Sequence, residues 1–244
     1  MNETAIKKVI DKNFEFWKLT NKEPLVAKIP FSGFYKKPYP VMGGRNIVDP
    51  ERLLPVDMDI DRIIGFGKSN PEPFNGDMVH FAGCLYPESW MESLIGCPIY
   101  AAAFSCSSKP VSNDDHGEAM DRFRVEEAMD SEWAEVMNRL IGRLVEKAGA
   151  DVPVRLLHFR GVIDMLAAFL GEEKLCFSLY DHPEKVAELG DRFADLYIWA
   201  AQNNISRIQP WNGGYASAWG VFAPGPIVDY QIDASNLFPI EAVL

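Results

Sequence analysis

The chain has 244 residues, 48% of them hydrophobic and 24% charged, which is the make-up of a folded domain and excludes disorder. Its formal charge is −11, from 24 basic and 35 acidic residues. Such a surface repels phosphate backbones and anionic lipid, so neither nucleic acid nor a membrane is expected as a partner, although a local basic pocket could hold an anionic ligand.

The start, MNETAIKKVIDKNFEFW, lacks the apolar core of a secretory leader. No apolar run reaches the roughly 18 residues of a membrane span. Four cysteines without a CxxC pair suit a reducing compartment, so a cytoplasmic location is expected. In chain order, the spacing predicts an amphipathic helix over 5–18, a short strand over 24–30 and a Pro- and Gly-rich irregular segment over 31–55. A short helix is expected over 60–67, a buried strand over 77–81, a helix over 87–95 ended by Gly96, and a strand over 99–104. From Trp133 the apolar residues Val136, Met137, Leu140, Ile141, Leu144, Val145 and Ala148 fall at steps of three and four. They form one helical stripe, which Asp130 or Ser131 can cap and Gly149 can close. A strand over 152–159 and a helix over 162–170, closed by Gly171, come next. Another long helix is expected from Asp181-His-Pro-Glu184, with Asp181 as its cap, Pro183 in its first turn, and Val186, Leu189, Phe193, Leu196, Tyr197 and Ala200 as its buried stripe. Strands near 215–222 and 227–232 end the pattern.

Strands alternate with helices, which argues for a parallel sheet with crossover helices. The expected fold is therefore α/β, a (β/α)8 TIM-type barrel incomplete at its C-terminus, with about five or six of its eight strands present. One partial barrel domain covers 1–244, with the N-terminal helix, first strand and irregular segment in 1–76. Open strand edges are adhesive, so a second copy or a complementing chain is expected to cover them.

Several motifs are read as plain structure. Gly67-Lys68-Ser69 resembles the end of a phosphate loop, but Arg62 stands where that loop needs glycine. His80, Cys84, Cys97 and Cys106 fit no common zinc spacing, so no metal ligand is assigned. Three stretches carry more chemistry. Arg160 closes a predicted strand at the end that faces the site of a parallel barrel, where a guanidinium can clamp a carboxylate, with Asp164 to orient it or cap the next helix. In Trp211-Asn-Gly-Gly-Tyr215 the glycines admit close backbone approach, and Trp211 and Tyr215 offer flat walls for a substrate. Along the last strand, alternation puts Asp229, Gln231 and Asp233 on one side. At a barrel mouth Asp229 and Asp233 are the catalytic candidates, with Gln231 binding substrate.

These stretches also carry a family likeness. The succession Glu92-Ser-Leu-Ile-Gly-Cys97, Arg160-Gly with Asp164, Leu170-Gly-Glu, Tyr180-Asp-His-Pro-Glu-Lys-Val186, Gln231-Ile-Asp233 and Leu237-Phe-Pro239 resembles the uroporphyrinogen decarboxylase superfamily over most of the chain from about residue 77. That superfamily joins decarboxylases with corrinoid-linked methyltransferases on a (β/α)8 barrel whose site lies at the C-terminal mouth. The Arg-rich segment with which the decarboxylases grip propionates has no match; Gly43-Gly-Arg45 is the nearest stretch. The methyltransferases' zinc residues, an H-x-C pair and a later Cys, follow the element matched by Leu237-Phe-Pro239, so the resemblance implies zinc only if residues exist beyond Leu244. The resemblance thus implies a methyltransferase-like enzyme of one-carbon metabolism, acting on a small molecule with a corrinoid protein as partner. A decarboxylase of a porphyrinogen-type polycarboxylate is the alternative, and an inactive fragment or binding subunit the third reading.

Overall fold

The computed structural model describes residues 3–26, 47–66, 74–84, 89–103, 106–111, 116–217 and 220–238. Gly67-Lys68-Ser69, Gly43-Gly-Arg45, Pro239 and most of the strand expected over 24–30 lie outside them.

The helices are α1 (Glu3–Trp17), α2 (Ile60–Ile63), α3 (Trp90–Leu94), α4 (His116–Arg122), α5 (Val125–Met129), α6 (Glu132–Ala148), α7 (Val162–Leu170), α8 (Glu172–Asp181) and α9 (Pro183–Ile205). The strands are short: β1 (Glu51–Arg52), β2 (Ile64–Phe66), β3 (Phe74–Asn75), β4 (Met78–Val79), β5 (Ala82–Cys84), β6 (Ile99–Ala101), β7 (Cys106–Ser108), β8 (Phe159–Arg160), β9 (Tyr215–Ala216), β10 (Phe222–Ala223) and β11 (Tyr230–Gln231). No described helix is long and apolar enough to cross a membrane.

The long helices follow their stripes. In α6 the extended Ser131 accepts the Ala134 N–H at 3.2 Å, and Gly149, at φ +53°, returns its N–H to Val145. Leu140, Ile141 and Leu144 are fully buried on its inner face. In α9, Leu189, Phe193, Leu196 and Ala200 form the buried stripe. The N-terminus of α9 departs from expectation. Residues 172–181 are themselves a helix, and Asp181 is its last residue, so its helical backbone cannot cap; His182 alone separates α8 from α9, with no side-chain cap. Helix α8 hid in the sequence because Phe177 and Tyr180 point to solvent, which blurs the stripe made by Leu175 and Ser178.

The sheet also departs from expectation. The protein is mixed α/β, but among the described residues no barrel closes. β1, β6 and β7 form an antiparallel sheet, and β2–β5, β3–β4 and β9–β10 are antiparallel pairs. Among the described residues parallel pairing is confined to β8–β11 and to single bridges, Ala82 to Val154 and Arg155 to Ala216. Two local causes are visible. Pro153 has no N–H to give a ladder, and Leu156 and Leu157 are both buried, so alternation fails in mid-strand and the expected 152–159 strand is broken. The expected 215–222 strand folds back on itself through Gly220 at φ +77°.

The main core joins α3, α6, α7 and α9 to the inner sides of β5 and β8. A second, smaller core lies under α1, where Ile10 packs with Val79, Ala216 and Phe222. Asn13, fully buried, fastens this helix. Its Nδ2 donates to the Asp77 carbonyl at 2.9 Å, and its Oδ1 accepts the Phe222 N–H at 3.1 Å. Replacing Asn13 with leucine orphans both backbone groups, and urea unfolding is expected to show a loss of about 2–3 kcal/mol. A loss within 0.5 kcal/mol, the range of ordinary surface changes, would refute that account.

Candidate functional site

β8 and β11 run parallel, Phe159 opposite Tyr230 and Arg160 opposite Gln231. Phe159 fills the core, which turns its neighbours His158 and Arg160 the other way. On β11, Val228, Tyr230 and Ile232 are exposed, and the alternate residues Asp229 and Gln231 face His158. The imidazole sits between them, with Nε2 at 2.6 Å from Gln231 Oε1 and Nδ1 at 3.5 Å from Asp229 Oδ2. Gln231 Nε2 in turn donates to Asp233 Oδ2, so its carbonyl is the end that meets His158 and Nε2 of the ring is a donor. Asp229 holds the His158 pKa above its ordinary value; burial opposes this, Gln231 adds to it, and the charge of Arg155 works against it.

Two contacts fix this arrangement. The Gly161 N–H donates to the Gln231 carbonyl at 2.6 Å, and a Cβ at 161 would stand 2.7 Å from that oxygen and from the Tyr230 ring. From α9, the Tyr197 hydroxyl donates to the Asp229 carbonyl at 2.6 Å, and burial pushes that phenol's pKa up.

Arg160 lies beside this group, with its guanidinium engaged by two buried acids. Nη1 donates to Glu92 Oε1 at 2.9 Å and Nε to Asp164 Oδ2 at 3.2 Å. Burial alone would depress the Arg160 pKa, but the charges of Glu92 and Asp164 outweigh it and hold it above its ordinary value. Asp164 is fully buried, and its other oxygen accepts the Ala234 N–H at 2.7 Å, at the 3-10 turn Asp233–Leu237. Asp164 therefore orients Arg160 and the turn that carries Asp233. Next to Glu92, burial and that carboxylate drive the Cys97 thiol far above its ordinary pKa, so it stays protonated, its Sγ donating to the Ala168 carbonyl.

Trp211 and Tyr215 do not join this group. The Trp211 Nε1 donates to the Ala150 carbonyl at 3.0 Å, ahead of the parallel stretch, whereas His158 and Arg160 close it. There Trp211 lines an open cleft of about 440 Å³ with Ala150, Val152 and Pro153. Tyr215 belongs to the β9–β10 hairpin and packs against the main core. Trp211 and Gly214 exchange backbone hydrogen bonds that close the tip of that loop. The structure thus brings together Arg160, Asp164, Asp229, Gln231 and Asp233, and leaves Trp211 and Tyr215 apart.

Sequence reasoning assigned no role to His158 or Arg155. One signal was present: polar residues at alternate positions on two strands, His158 and Arg160 on one and Asp229, Gln231 and Asp233 on the other, share a face whenever those strands pair in parallel. Among the described residues no three His, Cys, Asp or Glu side chains are grouped to hold a metal ion.

No protein-family model matches the chain, and no curated protein does. Among solved structures the chain is similar to a methyltransferase from Methanosarcina mazei, with 15% identity and a TM-score of 0.44 over 52% of this chain. The chain spans 37% of the length of that protein. The fold and the site define a mixed α/β protein with an acid–imidazole cluster at the ends of its parallel strands, and the functional reading rests on those residues.

Proposed function

We propose that the His158 cluster is the substrate site of a small-molecule enzyme, and that its reaction is methyl transfer from a heteroatom of the substrate to an acceptor such as a corrinoid protein. The observation that carries the reading is His158 held between Asp229 and Gln231. Asp229 favours the imidazolium, which suits His158 to act as a proton donor. Methyl transfer from oxygen or nitrogen needs such a donor. The bond between methyl carbon and heteroatom breaks, its electron pair stays on the heteroatom, and the His158 proton neutralises it, while a nucleophile of the acceptor forms the new bond to carbon. Gln231, itself held by Asp233, steadies the far side of the ring, and Arg160, neutralised by Glu92 and Asp164, braces the adjoining 3-10 turn.

A second reading, decarboxylation of a porphyrinogen-type polycarboxylate, draws on Arg155, His158 and Arg160 lying within one short stretch. There the bond to the carboxyl carbon breaks, carbon dioxide leaves, and the electron pair left on carbon takes the His158 proton.

The test is turnover. The protein is incubated with methyl ethers, methylamines and thioethers plus reduced free cobalamin, and separately with a porphyrinogen polycarboxylate. Methylcobalamin is read by absorbance and carbon dioxide by release. Methyl transfer that falls about 10²- to 10⁴-fold in His158→Gln supports the first reading. Carbon dioxide release alone, with the same dependence, favours the second. Turnover untouched by His158→Gln rejects His158 as the proton donor, and no turnover with any compound rejects the enzyme reading in favour of a binding subunit.

A further inference from the structure

Two arginines serve this end of the parallel strands, and they are built differently. Arg160 has two carboxylates on its guanidinium. Arg155 has none within ion-pair distance among the described residues, and its Nη2 donates to the Cys84 carbonyl at 2.8 Å. Its guanidinium lies over the Phe81 ring, 5.2 Å from the centroid. Its Nε is sealed from solvent without a hydrogen-bond partner, while the residue as a whole keeps some exposure. Room for this side chain depends on Gly83, where a Cβ would stand 2.3 Å from Nε.

A guanidinium stays charged at neutral pH, and holding it partly out of water without a counter-ion is costly. Burial accordingly lowers the Arg155 pKa, and the negative charges nearest in effect are Cys84, were it ionised, and Asp229. Asp229 is the same carboxylate that holds His158, so the two cations share one field. A glycine-sized space cleared for such a charge, with no counter-ion among the described residues, leaves that role to a ligand.

We propose that Arg155 is the receptor for a single carboxylate of the substrate, held beside His158, so that the substrates are small monocarboxylic acids. The inference rests on the reading of the His158 cluster as a substrate site. The planar fork of a guanidinium matches a carboxylate with two parallel bonds. A monoanion is favoured over a phosphate dianion, which Asp229 and the −11 charge of the chain would repel more strongly. A bound carboxylate also offsets the charge of Arg155 that opposes protonation of His158, so substrate binding favours the proton donor.

Thermal unfolding with acetate tests this, with acetamide as the neutral isostere and chloride at equal ionic strength. Acetate is expected to raise the Tm of the wild-type protein with dose, by mass action on the folded state, while acetamide and chloride do not. Arg155→Met is expected to fold, with a Tm at or above that of the wild type, and to lose the acetate response. Arg155→Lys keeps the charge but not the fork, and is expected to weaken acetate binding about tenfold. No difference between acetate and acetamide on the wild-type protein overturns the proposal without any variant. So does an acetate response that survives in Arg155→Met, or is undiminished in Arg155→Lys. Acetate binding through Arg155 with turnover indifferent to His158 removes the catalytic reading and keeps the carboxylate site. Turnover that needs His158, with no acetate response, removes the carboxylate site alone.

Discussion

Replacing Asp164 with alanine is expected to lower the stability of the protein by about 3 kcal/mol, measured by urea unfolding. The carboxylate is fully buried and has two duties, one oxygen accepting from Arg160 and the other from the Ala234 N–H. Without it a backbone donor is orphaned in the interior, and Arg160 is left with Glu92 alone. Breaking a buried charge pair costs about 3–5 kcal/mol, and the lower end applies because the Arg160 side chain is 36% exposed, which lets water screen part of the loss. Asp181→Ala is the control. Asp181 is exposed at the end of α8, and its replacement should change stability by less than about 0.5 kcal/mol. An Asp164→Ala protein as stable as that control would show that the 3-10 turn and Arg160 hold themselves.

The second large effect concerns protons. Asp229 raises the His158 pKa above its ordinary 6.5. A group whose pKa is higher in the folded state stabilises fully below its unfolded value and loses that contribution as pH rises through the folded value. The stabilisation from His158 is therefore fully present below about pH 6.5 and lost as the pH rises through the folded-state value, which lies above 6.5, and a His158 proton donor fails as the pH passes that same value. Asp229→Asn removes the largest cause of the shift. The His158 titration, followed by NMR of the imidazole carbon-bound protons, should move to lower pH, and the alkaline fall in activity should move with it. Activity at neutral pH is expected to drop about tenfold or more as the donor population declines. A titration that stays in place, or moves upward, would mean that Asp229 does not govern the ring.

The helices α6, α7 and α9 were legible because each carried its own instructions, whereas α4, α5 and α8 were not foreseen. The stripe of α6 with Ser131 before it and Gly149 after it, and the close of α7 at Gly171, need no knowledge of the rest of the chain. The sheet was not legible in that way. Tyr215 and Phe222 look like two ends of one strand until Gly220 reverses the chain between them, and the run from Val152 looks continuous until Leu156 and Leu157 both turn inward. The shared face of Asp229, Gln231 and Asp233 follows from alternation alone. That His158 completes it depends on which strand lies beside β11, a long-range choice. The same limit separated Trp211 from Arg160, because local residue chemistry does not say which end of a strand a loop reaches.

The anchoring of α1 has a consequence for biosynthesis. Asn13 waits for the Phe222 backbone, 209 residues further on, and Trp17 for the carbonyl of the same residue. At about 5–20 residues per second, the ribosome supplies that partner roughly 10–40 s after α1 emerges. During that interval Ile6, Ile10 and Phe14 have no cover, so the nascent chain presents a greasy helix early and buries it last. Chaperone occupancy on stalled chains should accordingly persist until the β9–β10 hairpin has cleared the exit tunnel.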